Sequence, residues 1–344
     1  MPILDARHDL AHPVEGDTAW SESWYFNAYD PGTDSGLFTR IGVRPNEGTM
    51  DVGLSLWLPG GELGEYRWLK EQREMVDSVL EVGAVRYTML EALSAWRLTM
   101  EGEVEARPCV RGTTTTRTVP VALDVRFDAL TPAVGTDGQP GAGPRSAEAQ
   151  AAAGTVGKGH LEQAGRWSGT LTVDGVAHEW RSAQGNRDRS WGPRRWGGPR
   201  MWRWFSINVP GASASAGDSD SDALHFGGIR LGTEAGDLHR GWVWDRARAA
   251  SVAEWRIRTE LADDGVTHRV VHLDVVDKEG RTFPLRGDVL RIAPIGQAGG
   301  TLVNEGLARW TYEGGPDGGP RTGYGIAEYL HQLDDGGRPV VPVE

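Results

Sequence analysis

Residues 49–58 of this chain, Thr-Met-Asp-Val-Gly-Leu-Ser-Leu-Trp-Leu, are apolar at every even position from Met50 to Leu58. A period of two is the signature of a β-strand with one face on a core, because successive side chains of a strand point to opposite sides. The same alternation recurs at 85–90, 95–104, 119–127, 167–175, 254–261 and 268–277, punctuated by turn signals such as Pro59-Gly60-Gly61, Asp174-Gly175 and Asp264-Gly265. Short strands separated by such turns predict an all-β sandwich or barrel. Residues 69–80 (LKEQREMVDSVL) are the one stretch with helical composition, and they fit a long hairpin as well. Residues 132–157 are rich in Gly, Ala and Pro and read as a mobile excursion from the first half.

The chain also repeats itself. Trp24-Tyr25-Phe26 with Pro31-Gly32 is matched by Arg203-Trp204-Phe205 with Pro210-Gly211, and further on Phe38, Ile41 and Gly48 are matched by Phe226, Ile229 and Gly236. Ala95-Trp96-Arg97-Leu98 resembles Glu254-Trp255-Arg256-Ile257. Gly185 and Asp188 lie opposite Gly325 and Glu328. The collinear order predicts a tandem duplication: an N-terminal lobe over 15–192, a C-terminal lobe over 200–344, and a connector over 192–200. At 344 residues the chain has room for two domains of roughly 150 residues each. Each lobe is the size of one up-and-down barrel of the lipocalin type, whose interior can hold a small ligand.

Fifteen tryptophans against six phenylalanines suit a wide aromatic interior, or alternatively a sugar-binding or membrane-interface belt. A net charge of −12 argues against a nucleic-acid surface, which would need a basic patch. The single Cys109 excludes an intramolecular disulfide framework and a cysteine metal site. The N-terminus lacks the basic-then-apolar pattern of a signal peptide, and no run approaches the ~18 apolar residues of a membrane helix, so a cytoplasmic protein is expected. His268 and His272 lack a third ligand nearby in sequence, so neither a metal nor another cofactor is expected. His178, His225, His239 and His331 remain pocket candidates, His331 foremost because it aligns with Trp191 across the repeat.

The stretch 184–205, dense in arginine and tryptophan, carries the most specific pattern. It contains Gly185, Asp188, Trp191 and Gly192 as Gly-x-x-Asp-x-x-Trp-Gly, a pattern that reads as a turn, while the repeat makes 184–191 the last strand of the first lobe and 200–209 the first strand of the second. A motif of this kind in mid-chain, between two lipocalin-like halves, resembles the carotenoid 1,2-hydratase and AttH-like proteins. The resemblance implies tandem calycin-type barrels and acid/base chemistry on apolar polyenes, terpenoids or polyketides. That family usually places a histidine after the aspartate, where this chain has Arg189.

Asp188 is the expected proton donor, its pKa raised by desolvation in an aromatic-lined cavity with Trp191 walling the same space. The competing reading is an ion pair with Arg187, Arg189, Arg194 or Arg195, which would lower that pKa. Glu328 is the candidate second carboxylate, or an ordinary solvated strand residue. Trp204 and Tyr324 are expected beside the substrate, and Arg187, Arg189 and Arg194 are expected to tune the acid or hold a polar end of the ligand. Together these residues suggest a cofactor-independent lyase or isomerase for a hydrophobic terpenoid, steroid-like or polyketide substrate. A non-catalytic carrier of an apolar ligand and a carbohydrate-active β-sandwich are the alternatives.

Overall fold

The structure, a computed structural model, describes residues 2–109, 116–137, 157–195, 197–211, 222–234, 236–245, 248–296, 300–314 and 319–344. They fall into two compact units, one holding 2–137 and 157–195 and the other 197–344. Both are built of antiparallel strands, and among the described residues the only helical element is a short 3-10 turn, Ala6–Asp9.

In the first unit, β1 (Trp20–Asp30), β2 (Ser35–Arg44), β3 (Thr49–Trp57) and β4 (Glu62–Glu71) form a meander. A hairpin follows, β5 (Val79–Val82) and β6 (Val85–Glu91), and then β7 (Ala95–Pro108) and β8 (Arg117–Ala129). The last strands are the short β9 (Val134–Thr136), β10 (Gly159–Val173) and β11 (Val176–Pro193). The sheet order β4-β3-β2-β1-β11-β10-β8-β7 returns to its start, because Glu62–Glu65 of β4 pair with 105–108 of β7. This closes an eight-stranded ring, with β5–β6 added to β7 and β9 added to β10.

The stretch 69–80 is no helix: its ends belong to strands, 69–71 to β4 and 79–80 to β5, nearer the hairpin reading. Residues 69–71 continue β4, whose ladder with β3 runs unbroken from Leu63 to Glu71. Tertiary pairing outweighs propensities worth only tenths of a kcal/mol per residue, about 0.7 at most. Within the supposed excursion, Val134–Thr136 form β9 and pair with His160–Glu162, so this part is anchored; residues 138–156 lie outside the described residues.

The second unit is a closed barrel of eight consecutive strands. They are β12 (Met201–Val209), β13 (Leu224–Thr233), β14 (Gly236–Asp245), β15 (Arg248–Leu261), β16 (His268–Asp277), β17 (Thr282–Gly296), β18 (Thr301–Tyr312) and β19 (Arg321–Gln332).

The duplication holds at the level of single cross-strand pairs. In the first ring Tyr25 lies opposite Asp188; in the second, Trp204, the repeat counterpart of Tyr25, lies opposite Glu328. A Cβ at Gly185 would collide with the carbonyl of Asn27, and one at Gly325 with the carbonyl of Ser206, again matched residues. Phe26 and Phe205 are likewise counterparts, and each sits at the centre of a packed aromatic interior. Phe26 meets Tyr87, Trp96, Phe127 and Trp167 at centroid distances of 5.3–6.1 Å. Phe205 meets Trp255, Trp310 and Tyr329 at 5.4–6.5 Å. One expected match fails: Trp96 is on β7, fifth round its ring, and Trp255 is on β15, fourth round the other. The two indoles reach equivalent phenylalanines from different strands.

One more pair is shared with its members exchanged. In the first ring the Arg189 guanidinium on β11 lies 4.5 Å from the Trp24 ring centroid on β1. At the same register of the second ring, Arg203 on the first strand lies 4.3 Å from the Tyr329 ring on the last.

Candidate active site

Residues 185–192 are strand, as the repeat placed them, rather than turn: β11 runs through them and pairs with β1 on one side and β10 on the other. Strand geometry then sorts its side chains, odd positions to the barrel interior and even positions to the outer wall. This separates residues that the sequence reading had grouped.

On the inner side, Arg187 lies near the rings of Trp96 and Phe127. Its two terminal nitrogens donate to Asp9 Oδ1 and Oδ2 at 2.6 and 3.0 Å, and its Nε donates to Gln163 at 2.8 Å. Arg189 donates to the His8 carbonyl at 2.7 Å and to Glu22. Trp191 stacks on His12 with centroids 3.9 Å apart. Burial by itself would raise the Asp9 carboxyl, but the Arg187 guanidinium more than offsets it and holds the pKa below the usual carboxylate range. Arg187, Arg189 and Trp191 therefore secure the N-terminal segment against the barrel. They neither tune Asp188 nor wall a space with it, because their side chains leave the opposite face of the strand.

On the outer side, Asp188 accepts or shares a proton with a histidine that the sequence reading did not single out. His160 Nε2, from β10, lies 2.6 Å from Asp188 Oδ2. Glu162, directly across from Asp188 in the register, brings Oε1 to 3.7 Å from the same nitrogen. Asp188 is 19 % exposed and His160 31 %, whereas the Glu162 carboxyl is buried. Burial would lower the His160 pKa, yet the charge of Asp188 and the hydrogen bond to it outweigh burial and raise it above the ordinary histidine value. Arg194 reaches this face, donating to Ser190 Oγ at 2.7 Å, and Ser190 in turn shares a 2.8 Å hydrogen bond with Ser23. Arg195 pairs instead with Asp17.

His160, Glu162 and Asp188 each offer a ligand atom within 4.8 Å of the others, so the chain does assemble three side chains of metal-binding chemistry. His268 and His272 have other partners, the Ala327 carbonyl and Glu260.

The second unit shows the same sorting. Glu328 lies on the outer wall opposite Trp204 and Glu305 and accepts from Trp202 Nε1. Tyr324 is four residues along and points to the same side, opposite Asn208. His331 faces inward near Tyr329, with centroids 6.2 Å apart, so it does not share the face of Glu328. His225 is bound to Asn208 at 2.7 Å, and His239 accepts from the Trp255 backbone N–H at 2.9 Å. His178 stands in the β10–β11 hairpin opposite Leu171.

The sequence reading missed His160 and Glu162. Their spacing of two on a strand was a usable signal, but the register that brings them to Asp188 is visible only once β10 and β11 are paired. A histidine at position 189, as in the resembled family, would point inward in this strand; here the imidazole arrives from the neighbouring strand.

The family model described as "Domain of unknown function (DUF7064)" matches residues 5–333, and the chain belongs to that family. No curated protein matches it. Among solved structures, the chain is similar to an AttH-like protein from Nitrosomonas europaea, with 14 % identity, TM-score 0.60, and 91 % of this chain and 93 % of that one covered. It is similar to kievitone hydratase from Nectria haematococca, with 14 % identity, TM-score 0.57, and 90 % and 88 % covered. It is also similar to CghA, with 13 % identity, TM-score 0.54, and 92 % and 89 % covered. At these identities the likeness establishes the fold, which is the tandem barrel fold implied by the motif around Asp188. Among the described residues no helix is long and apolar enough to cross a membrane.

Proposed function

We propose that this protein is a cofactor-independent lyase or isomerase of the hydratase, dehydratase or cyclase type, acting on a hydrophobic terpenoid, steroid-like or polyketide substrate. The observation that carries this reading is the half-buried His160–Asp188 pair, linked at 2.6 Å on the outer wall of the first barrel with Glu162 beside it. Such a pair holds one transferable proton between an imidazole and a carboxylate. Passed to an alkene carbon, the proton leaves a cation on the substrate. Water then adds its oxygen to the cation and returns a proton to the pair, which completes a hydration. Loss of a neighbouring C–H proton to the pair completes an isomerisation instead. The names of two proteins sharing the fold support the class: kievitone hydratase, and CghA, which was also solved with Sch210972. Glu328 holds the matching register on the second barrel and is proposed as a second carboxylate.

The test is isotope incorporation. Full-length protein incubated in D2O with terpenoid and polyketide alkenes should place deuterium on carbon. Asp188→Asn and His160→Gln should each abolish incorporation while ligand affinity stays near the parent value. Retention of ligand with no exchange in the parent protein would make it a carrier and refute the enzyme reading.

A further inference from the structure

Asp188 belongs to a row of ionisable side chains on one outer face. The registers place Glu162, Asp188, Tyr25 and Arg40 opposite one another on the adjacent strands β10, β11, β1 and β2. Strands are about 4.8 Å apart, so Arg40 stands two strands, about 10 Å, from Asp188. The row is polarised, with acids and the histidine at one end, a guanidinium at the other and a phenol ring between.

Among the described residues Arg40 is only partly engaged, by a long contact to Asp51 and by the charge of Asp188. The end of its guanidinium occupies the space a Cβ at Gly42 would take, the two terminal nitrogens coming nearest. It contacts Asp51 only at a long 3.4 Å, because the other Asp51 oxygen is engaged by Arg44 at 2.9 Å. Its Nε, shielded from solvent, has no hydrogen-bond partner among the described residues. The side chain is 22 % exposed and so remains within reach of a bound molecule. A guanidinium keeps its charge and its forked donors under these conditions and matches an anionic oxygen pair.

Resting on the acid/base reading above, we propose that Arg40 anchors an anionic oxygen group of the substrate, a carboxylate or enolate, on the same outer face as the His160–Asp188 pair that protonates its alkene. The substrate class is thereby narrowed from any apolar alkene to an acidic one.

A matched pair of probes tests this by calorimetry: 10-undecenoate and 10-undecen-1-ol, which share chain and alkene and differ in the charged end. The parent protein should bind the acid about tenfold more tightly or better, the scale of one charge-assisted hydrogen bond. Arg40→Gln should bring the two within about twofold of each other. Gly42→Ala, which keeps the charge but displaces the guanidinium, should reduce the preference and so provides an independent check if Arg40→Gln folds poorly. Asp188→Asn should keep the preference while losing deuterium exchange, which separates failure of the anchor from failure of the acid/base reading. Equal affinities in the parent, binding of neither probe, or a preference that survives both Arg40→Gln and Gly42→Ala would overturn the proposal.

Discussion

Replacing Asp9 by asparagine is expected to cost the first barrel more than any single change on its outer wall. The carboxylate is fully buried and accepts three hydrogen bonds, two from Arg187 and one, at 2.7 Å, from the Leu93 backbone N–H. Asparagine keeps the shape but has one acceptor oxygen. In either orientation its amide nitrogen faces a guanidinium N–H, donor against donor, and in one orientation the Leu93 N–H as well. Arg187 is left buried with its charge uncompensated, and breaking a buried pair in this way costs about 3–5 kcal/mol. With a urea m-value of about 3 kcal/mol/M, the midpoint of the first unit should fall by about 1–1.7 M. The unfolding can be followed by the fluorescence of the buried Trp24, Trp96 and Trp167. The double variant Asp9→Leu, Arg187→Met should recover most of the loss, since replacing both members by apolar groups is often neutral. A midpoint shift below about 0.3 M for Asp9→Asn, or no recovery in the double variant, would refute the view that this ion pair ties the N-terminal segment to the barrel.

Two opposite pH dependences are expected. The His160 pKa is raised on folding, so its contribution to stability is full below about 6.5, its unfolded value, and is lost as pH rises through the higher folded value. His160→Gln should flatten that part of a Tm-versus-pH curve. Burial pushes His225 down to about 4 and His268 down to about 3, so the second barrel should hold its stability above pH 6.5 and lose it on acidification towards those values. His268→Gln should remove part of the acid lability, and unchanged curves for both variants would contradict these assignments. Gly185→Ala and Gly325→Ala should each destabilise their own barrel by about 1–3 kcal/mol or more, since each methyl meets a backbone carbonyl that cannot swing away. A tolerated alanine at either site, seen as an unshifted melting curve, would contradict the close strand approach there.

The period-two alternation made the fold class legible, and the repeat made its internal symmetry legible down to the pairing of Asp188 and Glu328 with their counterparts. Both depend on local pattern, and a local pattern survives in a single sequence. The site was legible only in part. Asp188 stood out by its motif, but its partner His160 comes from another strand, and strand register is a long-range property. The arginines were misassigned for a related reason. Adjacent residues of one strand serve opposite faces, so Arg187 and Arg189 sit far from Asp188 in environment while flanking it in sequence. Their acidic partners, Asp9 and Glu22, lie more than 160 residues earlier in the chain and carry no motif. The composition of 69–80 left helix and hairpin open, and the ends of the stretch went to strands, 69–71 to β4 and 79–80 to β5.

The exchange of cation and ring between Trp24–Arg189 and Arg203–Tyr329 bears on how a chain with two similar halves avoids assembling itself wrongly. Tandem relatives are prone to misassembly when a strand of one copy closes the other. If β12 closed against β11 in the native register, Arg203 would face Arg189, two guanidiniums side by side in an apolar interior. If β1 closed against β19, Trp24 would face Tyr329 and no cation would remain between them. Like charges brought together in this way cost several kcal/mol. The exchanged contact thus penalises closure of the second ring's first strand on β11, and it deprives the converse pairing of its cation–ring contact.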